Sequence, residues 1–129
     1  MIIVDGDDHP SIKIGLVGPC GAGKTTIEGL LHTAGYTNIR HITQEHSYVA
    51  NMWQRISNPA VLIYLDVSYE NTIRRRQLDW TIKEYEEQLR RLAHARQHAN
   101  LIIDTNPLTP EAVLEKVIHF LDVAYRYHK

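Results

Sequence analysis

The sequence has 129 residues and 43% hydrophobic residues, which suits a single globular domain over residues 1–129. Its 14 basic and 15 acidic residues leave a net charge of −1, so no overall field favours nucleic acid or an anionic membrane as a partner. The single cysteine excludes an internal disulfide, and no apolar run is long enough to span a bilayer. Residues 1–8 also lack the features of a signal peptide, so we expect a cytoplasmic protein.

A strand and a helix are predicted on either side of a glycine-rich segment near the start of the chain. Ile12–Val17 is apolar and rich in β-branched residues, which predicts a buried strand. Four apolar residues then recur at the spacing of one helix face, and Gly35 follows as a stop: Ile27, Leu30, Leu31 and Ala34. Between the two elements, Gly18–Thr25 matches the pattern G-x-x-x-x-G-K-[ST], which in this context predicts a phosphate-binding loop.

This glycine loop, Gly18–Thr25, has the chemistry to hold a phosphate chain. Its glycines let backbone N–H groups approach phosphate closely, and the helix N-terminus adds unpaired donors. Lys24 would reach the β- and γ-phosphates and the Thr25 hydroxyl would ligate Mg²⁺, while the lack of an Asn-Lys-x-Asp motif favours ATP over GTP. The expected nucleotide-binding residues are Gly18, Cys20, Gly21, Ala22, Gly23, Lys24, Thr25 and Thr26.

Strands alternate with helices through the rest of the chain. Further strands are predicted over residues 39–43, 61–67 and 101–104, and helices over 45–56, after Ser68, after Thr81 and from Pro110. This alternation predicts a three-layer α/β sandwich with a small, mainly parallel sheet of about four strands. Met1–Val4 is either an additional strand or a frayed terminus.

Three segments together resemble a known family. The first is the glycine loop; the second is Ile63–Ser68 with the arginines that follow it; the third is Ala99–Val113. In this order they resemble the P-loop small-molecule kinases, which include nucleoside monophosphate, shikimate, gluconate and adenylylsulfate kinases. The resemblance covers most of the chain from Ile12 onward and implies the P-loop NTPase sandwich.

The resemblance implies transfer of the ATP γ-phosphate to a small-molecule acceptor. The arginines Arg74–Arg76 would form a lid over the transferred group, with Arg75 as its catalytic member beside Lys24. Arg96 would be a further lid-side arginine. Thr105, Asn106 and Pro107 would border the adenine, so Asn106 and Pro107 join the expected cofactor-binding residues.

The acid at the end of the third predicted strand has two interpretations. Asp66 follows a run of apolar residues, as does a Mg²⁺-side acid, which would make it a metal-side and catalytic residue. The alternative is a structural acid that caps the following turn. Asp104 also ends a strand, and for this residue the structural role is the expected one.

The region that binds the acceptor in these kinases is shortened here. Residues 44–60 leave room for one crossover helix, and the candidates for acceptor contacts are Arg40, Glu45 and Trp53. The alternative function is therefore a nucleotide-binding regulatory module acting on a partner protein, or a slow NTPase that uses water as acceptor. No metal cluster other than the Mg²⁺ site is predicted, because His94 and His98 lack a third ligand and Cys20 is interpreted as a small loop residue.

Overall fold

The computed structural model describes residues 11–76 and 79–126, which form an α/β structure around a parallel sheet. The described strands are β1 (Ile14–Val17), β2 (Ile39–His41), β3 (Val61–Asp66) and β4 (Leu101–Asp104). They pair in the order β2-β1-β3-β4, and every pairing is parallel. The prediction of a small parallel sheet of about four strands is confirmed within these residues, whereas the expectation for Met1–Val4 lies outside them.

Five helices connect and follow these strands in the described part of the chain. They are α1 (Lys24–Thr33), α2 (Met52–Ile56), α3 (Tyr69–Arg76), α4 (Ile82–His98) and α5 (Pro110–Arg126). A short 3₁₀ turn, Gln44–His46, lies between β2 and α2. Among the described helices, none combines the length and the apolar surface that a membrane crossing requires.

Helices cover both faces of the sheet, each over its own apolar cluster. On one face Leu16 and Leu65 pack with Leu31 of α1 and Val117 of α5. On the other face Tyr64 packs in a cluster with side chains of α4, and Trp53 joins this cluster. Because both faces are covered, the run Val61–Leu65 is buried at every position, as expected for a parallel strand.

The helix ends follow the sequence signals. Gly35 has a φ of 104° and donates to His32, while Tyr36 donates to Leu31, so α1 ends in a Schellman motif. The Thr81 side chain accepts a hydrogen bond from Glu84 in a complete capping box at the start of α4. The predicted stop at Gly35 and the predicted cap at Thr81 are confirmed, whereas the reciprocal bond of Glu84 was not predicted.

The predicted helix over residues 45–56 is wrong in its first half. The chain forms the 3₁₀ turn there and becomes helical only at Met52. The reason is the buried amide of Gln44, whose Oε1 accepts from the backbone N of Trp53 at 3.0 Å and whose Nε2 donates to the Val49 carbonyl at 2.9 Å. The segment wraps around this side chain, which satisfies backbone groups that a helix would otherwise pair.

Parallel pairing brings the ends of all four strands to one edge of the sheet. Val17 is in register with Tyr64, and Asp66 with Asp104. The glycine loop after β1, the 3₁₀ turn after β2, helix α3 after β3 and the loop after β4 therefore lie along the same edge. In open α/β sheets this is the edge at which ligands bind.

Candidate functional site

The glycine loop is packed too closely against its neighbours to carry side chains at two positions. A Cβ on Gly18 would lie 2.2 Å from the carbonyl oxygen of Leu65 in β3. Gly21 has a φ of +89°, and a Cβ there would lie 3.0–3.2 Å from atoms of Thr72 in α3. Glycine is required at both places, because the loop rests directly on β3 and α3.

Lys24, the first residue of α1, is buried and paired with an acid. Its Nζ lies 2.7 Å from Oε2 of Glu45 and also donates to the carbonyl of Gly18. The two side chains are only 5% and 4% exposed. Glu45 comes from the 3₁₀ turn after β2, and its Oε1 is buried without a hydrogen-bond partner among the described residues. A buried ammonium thus has its counter-charge, as buried charges require.

Gln88 of helix α4 contacts the glycine loop at Cys20. The backbone N of Cys20 donates to Oε1 of Gln88 at 3.0 Å, and Nε2 of Gln88 donates to Sγ of Cys20 at 3.2 Å. This contact joins residues 68 positions apart and was not predicted from the sequence. Gln88 falls within the predicted amphipathic helix, and no local signal distinguishes it there from a surface glutamine.

Cys20 also faces the residue next to Glu45. Its Sγ lies 3.9 Å from Nε2 of His46, and that same Nε2 lies 3.8 Å from Oε2 of Glu45. Three side chains of different chemistry therefore converge beside the ammonium of Lys24. The sequence analysis did not identify this cluster, because Cys20 and His46 are 26 residues apart and belong to different loops.

A pocket of about 350 Å³ opens beside the glycine loop. One wall is the loop and the start of α1, with Gly21, Ala22, Gly23, Thr25, Thr26 and Ile27. The opposite wall comes from α3, the loop after β4 and α5, with Arg75, Arg76, Thr105, Leu108, Pro110 and Val113. The pocket is polar where backbone groups line it and apolar along Leu108, Pro110 and Val113, a combination typical of small-ligand sites.

The side chain of Arg75 extends from α3 and contacts the loop after β4 beside this pocket. Its Nη1 donates to Oγ1 of Thr105 at 3.0 Å, and its Nη2 donates to the Thr105 carbonyl at 2.5 Å. The hydroxyl of Thr105 in turn donates to the carbonyl of Asp66 at 2.7 Å. Of the neighbouring arginines, Arg76 lines the same pocket, while exposed Arg74 donates to Asn71 at 2.6 Å.

The side chain of Asp66, at the end of β3, contacts Val67 and Arg96. Its Oδ1 accepts from the backbone N of Val67 at 3.0 Å, and its Oδ2 lies 3.5 Å from Nη2 of Arg96. Asp66 and Arg96 line a shallow pocket with Tyr64 and Tyr85, whereas Thr25 lines the pocket beside the glycine loop. Asp66 and Thr25 thus line different pockets, and the cap on Val67 matches the structural interpretation of Asp66.

Two tyrosines near Asp66 have perturbed acidity. Burial, and secondly the negative charge of Asp66, raise the pKa of Tyr64 well above its usual range, with Arg96 acting in the opposite direction. Burial and Asp66 also raise the pKa of Tyr85, whose hydroxyl donates to the Val67 carbonyl at 2.6 Å. Both tyrosines therefore stay neutral further into alkaline solution than an exposed tyrosine does.

The two residues of the loop after β4 that were predicted to bind the cofactor, Asn106 and Pro107, lie in different places. Oδ1 of Asn106 accepts from the backbone N of Ser68 at 2.9 Å and from Nδ2 of Asn71 at 2.7 Å, which ties this loop to α3. Pro107 lines a separate groove along β4 and α5. Thr105 and Leu108, rather than Asn106 and Pro107, line the pocket at the glycine loop. Asp104 accepts from the Asn106 backbone at 3.0 Å, a structural role.

Of the residues predicted to contact an acceptor, Trp53 lines a second pocket, whereas Arg40 does not line it. Trp53 is 5% exposed, donates its indole N–H to Nδ1 of His94 at 3.0 Å, and borders a second pocket of about 290 Å³. His41 and His46 line that pocket as well, so it reaches the neighbourhood of Glu45. Arg40 is exposed on β2 and is not among the residues that line it.

A comparison of the sequence with models of known protein families finds no match, and a comparison with curated proteins finds none either. The functional conclusion therefore depends on the geometry of the site.

Proposed function

We propose that this protein is a phosphotransferase of the P-loop sandwich type that transfers the γ-phosphate of ATP to a small-molecule acceptor. The observation that carries the proposal is the pocket of about 350 Å³ beside the glycine loop. Its polar end consists of loop backbone at a helix N-terminus, which suits phosphates. Its other end is apolar and bordered by two arginines, which suits a nucleoside.

In this proposal the glycine loop binds the phosphate chain through its backbone N–H groups. The base lies toward Thr105 and Leu108, with Arg75 and Arg76 close to it at the rim of the pocket. Thr25 has the hydroxyl that would ligate Mg²⁺, and its side chain is exposed at the pocket. A bound Mg²⁺ would supply charge neutralisation for the phosphates, and the prediction that Asp66 assists it remains a prediction.

The pair Lys24–Glu45 suggests how the two substrates are coordinated. Because Glu45 already contacts the Lys24 ammonium, phosphates that bind this lysine have to share or displace the carboxylate. A displaced Glu45 would face the second pocket, which begins at the adjacent His46. There it is suited to accept a proton from an acceptor hydroxyl, the role of a general base. Phosphoryl transfer otherwise depends on positioning and cationic stabilisation, which Lys24 and the arginines provide.

One observation favours a second candidate function, a nucleotide-binding regulatory module or slow NTPase. Between β2 and β3 the described chain contains only the 3₁₀ turn and the five-residue α2. Such a short segment limits the surface available for an acceptor, and a partner protein would then respond to the nucleotide.

The test is acceptor-dependent consumption of ATP with Mg²⁺, measured on a panel of nucleoside monophosphates, nucleosides and small hydroxy acids. Phosphate that appears on one acceptor with the wild-type protein, but not with Lys24→Ala, would establish the kinase. Tight ATP binding without transfer to any acceptor would favour the regulatory module, and hydrolysis alone would favour the NTPase. Absence of nucleotide binding would overturn all three.

A further inference from the structure

Three potential metal ligands lie close together where the glycine loop meets the 3₁₀ turn after β2. They are the thiol of Cys20, the carboxylate of Glu45 and the imidazole of His46, and one donor atom from each lies within 4.8 Å of the other two. Thiolate sulfur, imidazole nitrogen and carboxylate oxygen are each donors that zinc uses in protein sites. This cluster is distinct from the pocket of about 350 Å³, whose lining includes none of the three.

We propose that Cys20, Glu45 and His46 form a binding site for a zinc-type divalent cation. In a tetrahedral site, Zn–S bonds of about 2.3 Å and Zn–N bonds of about 2.0 Å place sulfur and nitrogen about 3.5 Å apart. Here Sγ of Cys20 lies 3.9 Å from Nε2 of His46, and this Nε2 lies 3.8 Å from Oε2 of Glu45. These two distances would have to shorten by a few tenths of an ångström, and exposed His46 is able to move. The separation of the Cys20 sulfur from the Glu45 carboxylate, which is within 4.8 Å, would have to shorten by up to about 1 Å.

A second observation points to a ligand at this position. Glu45 has a side chain only 4% exposed, and its Oε1 is buried without a hydrogen-bond partner among residues 11–76 and 79–126. A buried carboxylate oxygen normally has a partner, because leaving it unpaired costs free energy. Oε2 contacts Lys24 and also lies 3.8 Å from Nε2 of His46, so the lysine and the proposed cation would share this carboxylate.

The neighbouring amide of Gln88 supports the same assignment. It donates to Sγ of Cys20 and accepts from the Cys20 backbone, which fixes the position of the sulfur. Donors that hold a metal ligand in place are typical of metal sites. On binding, the Cys20 thiol releases its proton to solvent as the metal–sulfur bond forms, and no oxidation state changes.

The metal site itself does not depend on the proposed function, but its coupling to nucleotide binding rests on that function. A cation on Glu45 would compete with Lys24 for that carboxylate, and it would hold Cys20 of the glycine loop. Its fourth coordination position would remain open to water or to a phosphate oxygen, as in zinc sites with three protein ligands.

The experiment is a Co²⁺ titration of the full chain, followed by displacement of Co²⁺ with Zn²⁺ in competition with a chromophoric chelator. We expect one equivalent to bind with a sulfur-to-cobalt absorption band in the near ultraviolet. Cys20→Ser should abolish this band, and Cys20→Ser and His46→Gln should each weaken Zn²⁺ binding at least tenfold. His32→Gln, which removes an exposed histidine at the end of α1, is the matched control and should change neither.

Binding without a thiolate band, or equal affinity in Cys20→Ser and the wild type, would overturn the proposal. Circular dichroism of each variant shows that loss of binding is not loss of fold. Repeating the titration with and without ATP separates the two proposals. Metal binding in a protein that binds no nucleotide would leave this site standing and remove the phosphotransferase, whereas nucleotide binding without metal binding would do the reverse.

Discussion

Nζ of Lys24 lies 2.7 Å from Oε2 of Glu45, and both side chains are almost completely buried at the edge where the strands end. The contact joins two residues 21 positions apart, one in the helix after β1 and the other in the 3₁₀ turn after β2. Because the pair is buried, each partner is the main compensation for the charge of the other. The same contact connects the stability of the loop with the phosphate binding proposed for it.

Removing one partner of this pair should cost more stability than removing both. Lys24→Met leaves a buried carboxylate and should lower the free energy of unfolding by about 3–5 kcal/mol, and Glu45→Gln should also destabilise by leaving the ammonium without its counter-charge. The double variant should be more stable than the sum of the single changes predicts. Urea denaturation of the four proteins measures this coupling, and simple additivity would contradict it.

Glu45→Gln should also separate nucleotide binding from transfer. Without a carboxylate on Lys24, ATP should bind at least as tightly as to the wild type, because no anion competes for the lysine. Transfer to the acceptor should fall by about 10²-fold or more, the usual loss when a general base is removed. Calorimetry and turnover on the same preparation measure the two effects, and a variant with unchanged turnover would remove Glu45 from the chemistry.

Arg75→Ala should weaken nucleotide binding about tenfold, equivalent to about 1.4 kcal/mol. The guanidinium holds Thr105 through two hydrogen bonds at the rim of the pocket, so its loss changes both the charge and the shape of that wall. Arg74→Ala is the matched control, since Arg74 is exposed on the same helix and does not line this pocket. Equal affinities of the two variants would exclude Arg75 from the site.

Gly21→Ala should impair the glycine loop, whereas Gly29→Ala should not. At Gly21 a methyl group meets Thr72 and the φ of +89° is unfavourable for alanine, so the loop has to move away from α3. Gly29 lies within α1 with open space around its Cα, so alanine should stabilise the helix by up to about 1 kcal/mol. Thermal unfolding measures the stability of the two variants, and ATP titration measures their nucleotide binding. Loss of ATP binding in Gly29→Ala would show that the effect of Gly21→Ala is not specific to the glycine loop.

Stability should decrease in alkaline solution, and Tyr64 should account for part of this decrease. Burial and Asp66 raise the pKa of Tyr64 in the folded protein above the unfolded value of about 10. The stabilisation is therefore complete below pH 10 and is lost as the pH rises toward the folded pKa, with a slope of at most about 1.4 kcal/mol per pH unit.

Denaturation of Tyr64→Phe between pH 8 and 11 measures this contribution. The variant should show a shallower decrease than the wild type. Some slope should remain, because burial also raises the pKa of Tyr36 and Tyr85. An unchanged slope in Tyr64→Phe would show that Tyr64 does not titrate differently in the folded and unfolded states.

The sequence by itself determined the local features of this protein. Apolar runs predicted β1, β3 and β4, Gly35 predicted the end of α1, and Thr81 predicted the start of α4. The glycine pattern between β1 and α1 indicated the loop at which the pocket lies. These features depend on backbone preferences and periodicity within a few residues, so they can be read from a short window of sequence.

Only the tertiary structure decided which distant side chains meet at that loop. Glu45 on Lys24, Gln88 on Cys20 and Arg75 on Thr105 join residues between 21 and 68 positions apart. The buried Gln44 amide likewise replaced a predicted helical segment with a loop. Such contacts follow from the strand order β2-β1-β3-β4, which brings separate loops to one edge of the sheet. Neither periodicity nor propensity records that order, because it results from burying both faces of the sheet at once.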